Sequence, residues 1–121
     1  YRAHCEHTAQ LLAQALALET GDWSLSFQSR FGAQEWLQPY TDDRLAELAR
    51  QGVKHLGVIC PGFAIDCLET LEEIAIRGAE TFREHGGMSL DYIPALNDRA
   101  EHAACLAELV NVLAPRLTGS P

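Results

Sequence analysis

No apolar run in this chain approaches the ~20 residues a helix needs to cross a bilayer. The opening "YRAHCEHTAQ" lacks the basic region followed by an apolar one that marks a signal peptide. Basic residues are scarce: 9 Lys and Arg stand against 17 Asp and Glu, for a formal charge of −8. Nucleic-acid binding needs clustered cations, so that class of partner is excluded. A cationic ligand stays open, beside the plain acidic excess of a cytosolic domain. The four cysteines, Cys5, Cys60, Cys67 and Cys105, include no C-x-x-C pair. Nothing local therefore supports a zinc site or an iron–sulfur cluster. A disulfide framework does not suit what reads as a cytosolic chain, and the cysteines are expected to act as small buried hydrophobes. There is no internal repeat and no low-complexity segment. The chain also starts at Tyr1, without Met, and passes almost at once into a helical pattern. That start raises the expectation of a piece cut from a longer protein.

What is present fits one globular domain: 121 residues, 47% hydrophobic and 21% charged. Ala9, Leu12, Ala13 and Leu16 recur at helical spacing and predict a helix over 3–18. "WSLSF" (23–27) alternates apolar and polar residues and predicts a strand. The segment 28–40, "QSRFGAQEWLQPY", has no period; loops of that length in compact domains are often functional. Thr41 is the expected N-cap of the next helix, Asp42 and Asp43 suit its dipole, and Gly52 is its C′ stop. "HLGVIC" (55–60) is nearly all apolar and predicts a strand buried on both faces. A Pro61-Gly62 turn follows, then a helix over 66–84 closed by "HGG". A third strand, "SLDYI" (89–93), a loop "PALND" and a last helix complete the chain, with 115–121 as a flexible tail. The reading is a Rossmann-like three-layer α/β domain. Its short parallel sheet has three strands, a fourth lies upstream, and helices cover both faces. Ligands of such sheets sit outside the carboxyl ends of the strands, which nominates 28–40, 61–66 and 94–98.

The helix entering at that edge carries Glu69, Glu72 and Glu73. Three readings stand. Leu68, Leu71, Ile74, Ala75, Gly78 and Phe82 share one face at helical spacing, so the acids form a solvated stripe opposite. Asp66 and Glu69 have capping-box spacing, with Glu69 bonding back to the N-cap amide. Or Glu69 and Glu73, one turn apart, line a lane that passes a hard cation or exchanges protons. Trp36 and Phe63, loop aromatics at the strand ends, either cover the core or wall a flat ligand's pocket. Arg30 either forks onto a ligand carboxylate or makes a surface ion pair. The five histidines form no ligand set; His4 and His7, at i and i+3, read as surface residues.

Three motifs, "SFQSRFGAQEWLQPYTD" (26–42), "CPGFAIDCLETLEEI" (60–74) and "YIPALND" (92–98), together with the "HC..TA..LA" start, resemble the C-terminal part of bacterial ferrochelatases, in order, over about residues 1–112. The resemblance implies an enzyme that inserts Fe2+ into protoporphyrin IX or a related porphyrin in the last step of heme synthesis. It implies two Rossmann-like halves with the ring between them, this chain being most of the second. By the resemblance Glu69 is the catalytic glutamate facing the ring centre, opposite a histidine from a Ser-x-His segment upstream of Tyr1. Glu73 is the next acid of the metal lane, with Glu80 a weaker contributor. Gln28, Ser29, Arg30, Trp36 and Phe63 belong to the porphyrin pocket. Two departures stand out. Cys67 replaces a histidine common in animal enzymes, and Arg77 stands where some members carry a further acid. Repulsion among Glu69, Glu72 and Glu73 is expected to raise a carboxyl pKa. The family's extension with cluster-binding cysteines is absent, so no iron–sulfur cluster and no tightly bound cofactor are expected; iron is substrate. The expected location is the cytoplasm, with peripheral membrane contact left open. The expected partners are the porphyrin, Fe2+ and the N-terminal half, and the isolated chain is expected to be inactive and to self-associate. Two other functions remain: a non-catalytic tetrapyrrole- or metal-binding module, and a chelatase for another metal.

Overall fold

The computed structural model describes residues 1–29 and 35–117. Its elements in order are α1 (Arg2–Ala15), α2 (Thr41–Arg50), β1 (His55–Ile59), α3 (Leu68–Thr70), a π-helical segment (Leu71–Gly78), α4 (Ala79–Glu84), β2 (Ser89–Ile93) and α5 (Ala100–Leu117). The α/β class is as the sequence predicts, but the sheet holds two strands. β1 and β2 pair in parallel, from His55↔Ser89 to Ile59↔Ile93. The 23–27 segment forms no strand. Phe27 alone makes a bridge to Tyr40: its N–H donates to the Pro39 carbonyl at 2.9 Å and its carbonyl accepts the Thr41 N–H at 3.0 Å. Alternation makes a segment extended, but a ladder needs a partner strand, and the 39–41 segment has claimed Phe27's backbone.

β1 is also covered on one face only. Leu56, Val58, Leu90 and Tyr92 are half-buried, while Gly57, Ile59 and Ile93 on the other face are exposed. The expectation of burial on both faces, and of three layers, is corrected. The covering layer is the long helix 68–84, packed on β2, with α2 packed on α4. The core lies between them: Phe82 and Ile74 are fully buried, with Leu45, Ala46, Ala49 and Ala79 around them. Gly78 sits where this packing is tightest, since a Cβ there would lie 3.2 Å from Leu45 Cδ1. α1 and α5 stand further out. Leu106, Leu109, Val110, Val112 and Leu113 of α5 are all exposed.

Helix ends follow local chemistry. α2 and α4 each stop at a left-handed glycine, Gly52 (φ 96°) and Gly86 (φ 107°), as read from the sequence. Each carries the paired bonds of a Schellman motif: Val53 N–H to the Leu48 carbonyl and Gly87 N–H to the Phe82 carbonyl close the two ends. α1 uses the same motif with Ala17 in the glycine's place (φ 53°). Its bonds run from Ala17 N–H to Gln14 and from Leu18 N–H to Ala13. The helix therefore stops at Ala15 rather than 18, without a glycine to signal it. Thr41 is the first residue of α2 rather than its N-cap, which is Tyr40; the Thr41 hydroxyl pairs with Ser26 Oγ at 3.0 Å instead. α5 runs to Leu117, three residues into the segment expected as a tail; residues 118–121, and Arg30, lie outside the described residues.

Candidate functional site

The site forms where β1 ends. Cys60 is buried there, a turn closes by Phe63 N–H to the Cys60 carbonyl at 3.1 Å, and the chain crosses to the N-cap Cys67. The residue that reaches back to the N-cap amide is Thr70, whose fully buried hydroxyl accepts the Cys67 N–H at 3.0 Å. The expected pairing of Asp66 with Glu69 is therefore corrected. Asp66 instead bonds both to Thr70 of the helix and to the end of β2 and the loop that follows it. Its Oδ1 accepts the Tyr92 hydroxyl at 2.7 Å and the Ala95 N–H at 3.2 Å, with the Thr70 hydroxyl at 3.0 Å, and its Oδ2 accepts Asn97 Nδ2 at 2.9 Å. A carboxylate with so many donors favours its charged form. The bonds from Asn97 and Tyr92, in that order, hold Asp66 down at about 2. Tyr92 moves the other way, to about 12, mainly through burial, with the adjacent Asp66 charge adding to it.

From this start the helix carries the acids, and its register changes at once. Leu71–Gly78 is a π-helix, whose i→i+5 bonds bring residues four and five apart into line. Glu72 and Arg77, five apart, accordingly form an ion pair at 2.8 Å, both exposed. In an α-helix that spacing would turn the two side chains about 140° apart. Glu73 and Arg77, four apart, stay near one line. Glu72 is thus part of the solvated stripe, as one of the sequence readings held.

Glu69 and Glu73 differ from it and from each other. Glu69 is exposed in the first turn. A hydrogen bond from the Cys67 side chain, then one from its own backbone amide, hold its carboxyl below the usual range. The expectation that neighbouring acids raise this pKa is corrected: donor groups at the helix start outweigh repulsion across open solvent. Glu73 is half-buried. Its two oxygens accept the Ser29 N–H at 2.7 Å and the Ser29 hydroxyl at 2.8 Å. Ser29 adopts a left-handed backbone (φ 60°) to present both donors. Beside it, Gln28 Nε2 donates to the Glu69 carbonyl at 2.6 Å, and its Oε1 accepts the Cys60 thiol at 3.2 Å. Burial first, and then the Glu73 and Asp66 charges, push Cys60 up to about 11, so it stays a neutral donor.

Gln28, Ser29, Glu69 and Glu73, drawn from segments some 40 residues apart, thus meet in one cluster. Phe63 joins its edge through the Cys60 turn, half-buried. Trp36 is 43% exposed, and Glu80 is exposed on α4, past the π-helix. Among the described residues no three His, Cys, Asp or Glu side chains converge as an ion-holding set. Sequence reasoning missed Cys60, Thr70, Tyr92 and Asn97. The one signal for Asn97 was an Asn in a Pro-led loop, a residue that tolerates its left-handed φ of 50°.

Comparison with known proteins adds the rest. A family model described as Ferrochelatase matches residues 1–113. The chain is 55% identical over 118 residues to the ferrochelatase of Mannheimia succiniciproducens, covering 98% of this chain and 36% of that protein. It is 57% identical over 110 residues to ferrochelatase 1 of Shewanella oneidensis, covering 91% and 33%. It is 54% identical over 111 residues to the coproporphyrin III ferrochelatase of Streptococcus mutans, covering 92% and 35%. The chain spans about a third of the length of the curated relatives it matches.

Proposed function

The chain belongs to the ferrochelatase family, and from that premise we propose that it is the C-terminal chelatase half of an enzyme that inserts Fe2+ into a porphyrin. The observation that carries this reading is the bonding of the Gln28–Ser29 loop to the helix of Glu69 and Glu73. Insertion exchanges two pyrrole protons for one dication. It calls for a flat apolar wall, a proton acceptor at the ring centre and a path for the ion. Phe63 and Trp36 supply the wall, and Gln28 and Ser29 are held against the acidic helix; Arg30 is assigned to the same pocket by its place in the "FQSR" segment. Glu69 is the catalytic carboxylate. A carboxyl held ionised is ready to accept a pyrrole proton or to stabilise a protonated histidine across the ring. That histidine comes from the part of the protein outside this chain. Glu73, with Glu80 beyond it, hands the ion along, a role suited to hard oxygen ligands.

The open sheet face and the apolar surface of α5 support a further part of the reading. The other two thirds of the protein cover them, and the isolated chain lacks turnover and self-associates. No helix among the described residues is long and apolar enough to cross a membrane. By the family resemblance, the reading assigns the enzyme to the cytoplasm, with iron as substrate and no bound cofactor.

Protoporphyrin IX is the first ring to test. Coproporphyrin III is the second, because the relative from Streptococcus mutans is named for it. The experiment is a fluorimetric assay of porphyrin consumption by the full-length protein with each ring. Glu69→Gln should abolish insertion while leaving the protein folded. Near wild-type activity in that variant removes Glu69 from the chemistry. Tight porphyrin binding by the chain alone, followed by Trp fluorescence, favours a binding module instead.

A further inference from the structure

We propose that Asn97 is a positioning residue for Glu69: it holds Asp66, and Asp66 sets the turn from which the helix of Glu69 departs. The inference rests on the reading of Glu69 given above. Asn97 and Asp66 are 31 residues apart, yet they close a ring of two bonds. The Asp66 N–H donates to Asn97 Oδ1 at 2.8 Å, and Asn97 Nδ2 donates to Asp66 Oδ2 at 2.9 Å. The Asn97 N–H donates to the Ala64 carbonyl at 3.0 Å. Tyr92 and Ala95 add their donors to Asp66 from the same side. Five hydrogen bonds thus staple the segment before the helix to the end of β2 and the segment after it. Asn97 is itself held from α5, where His102 Nδ1 meets its carbonyl at 2.8 Å.

The staple matters because the first helical turn places Glu69. Among the described residues its side chain is exposed, and the bond that reaches it from Gln28 goes to its backbone carbonyl. The direction of its carboxylate therefore follows the direction of the first helical turn. That turn is tied to the staple through Thr70, which bonds both the Cys67 amide and Asp66. Asn suits position 97 on two counts. It offers an acceptor and a donor side by side, matching an amide and a carboxylate, and it tolerates the left-handed backbone.

The test uses the full-length protein and exploits that pairing. Asn97→Asp sets a second carboxylate against Asp66 and removes a donor. The exchanged pair, Asp66→Asn with Asn97→Asp, restores every donor and acceptor and moves only the charge. For Asn97→Asp, kcat per folded molecule should fall on the order of 100-fold, the scale of a small misplacement of a reacting group. The KM for porphyrin should move less than about threefold, because the loss falls on the chemical step and not on ring binding. The exchanged pair should recover kcat to within about threefold of wild type. An unchanged kcat in Asn97→Asp overturns the proposal. So does an exchanged pair that folds but stays slow, since Asp66 would then act by its own charge. If Asn97→Asp does not fold, Tyr92→Phe removes a single donor, and a kcat unchanged by it likewise overturns the proposal. Amide hydrogen exchange over Cys67–Glu73, measured without substrate, separates this inference from the reading beneath it. Exchange there should quicken in Asn97→Asp and return in the exchanged pair. That result stands even for a wild type that inserts no iron, which would sink the proposed function alone; unchanged exchange sinks the staple.

Discussion

Replacing Glu73 with Ala tests the clamp that joins the 28–29 segment to the π-helix. Both carboxylate oxygens of Glu73 are engaged, at 2.7 and 2.8 Å, by the amide and hydroxyl of one residue, Ser29. Hydrogen bonds to a charged acceptor contribute about 1.5–3 kcal/mol each, and less where solvent reaches them. Glu73 is half-buried, so the low end applies. Removing the carboxylate also strands the Ser29 amide, which sits in a left-handed conformation. Glu73→Ala should therefore destabilise the protein by about 2–4 kcal/mol. Glu73→Gln keeps one carbonyl for the amide, and the serine hydroxyl can turn to accept from the new NH2. Only the charge assistance is lost, and the loss should be about 1 kcal/mol. Ser29→Ala removes one of the two bonds and should lose about 1 kcal/mol as well. Urea denaturation of the four proteins closes the cycle, and Ser29→Ala should be nearly silent in the Glu73→Ala background. A Glu73→Ala loss below about 0.5 kcal/mol, or full additivity, would refute the clamp.

Three further outcomes follow from the fold. A Cβ at Gly87 would clash with the edge of the Phe82 ring, which is fully buried, so Gly87→Ala should lower stability by about 1–3 kcal/mol, read as a fall in Tm. Ala17 holds the left-handed position that ends α1; Ala17→Gly should raise stability by about 0.5–1 kcal/mol in the same assay. Asp66 is held at about 2, against 3.8 in the unfolded chain. Its lowered pKa adds stability that is fully present above 3.8 and lost as pH falls through about 2. Asp66→Asn should therefore flatten the stability–pH curve between those values, and a wild-type slope in that window would argue against the staple.

Local chemistry made much of this fold legible. Gly52 and Gly86 end their helices where the sequence has them, because left-handed backbone is cheap only for glycine. β1 and β2 lie where the apolar runs are. The first predicted strand failed for a reason a one-dimensional pattern cannot carry: alternation says a segment is extended, not that a neighbour exists to pair with it. The π-helix was equally hidden. The apolar residues Leu68, Leu71, Ile74, Ala75, Gly78 and Phe82 fit α-helical spacing, and eight residues are too few for a different period to declare itself. The Glu72–Arg77 pair, at a spacing of five, is its visible consequence.

The three acids mark the division. By itself the sequence determined that Glu69, Glu72 and Glu73 would ride one helix at the carboxyl end of a strand, since spacing and caps are local properties. The family resemblance carried in "CPGFAIDCLETLEEI" came from the same residues. Only the tertiary structure decided what each acid meets. Glu72 pairs with Arg77 at the surface, Glu73 clamps Ser29, and Glu69 takes the Gln28 amide on its backbone carbonyl while its side chain stays exposed. Asp66 has the spacing of a helix cap, yet it became the anchor for Tyr92, Ala95 and Asn97. A carboxylate accepts from whichever donors the fold brings within about 3 Å, and those donors lie some 30 residues away along the chain.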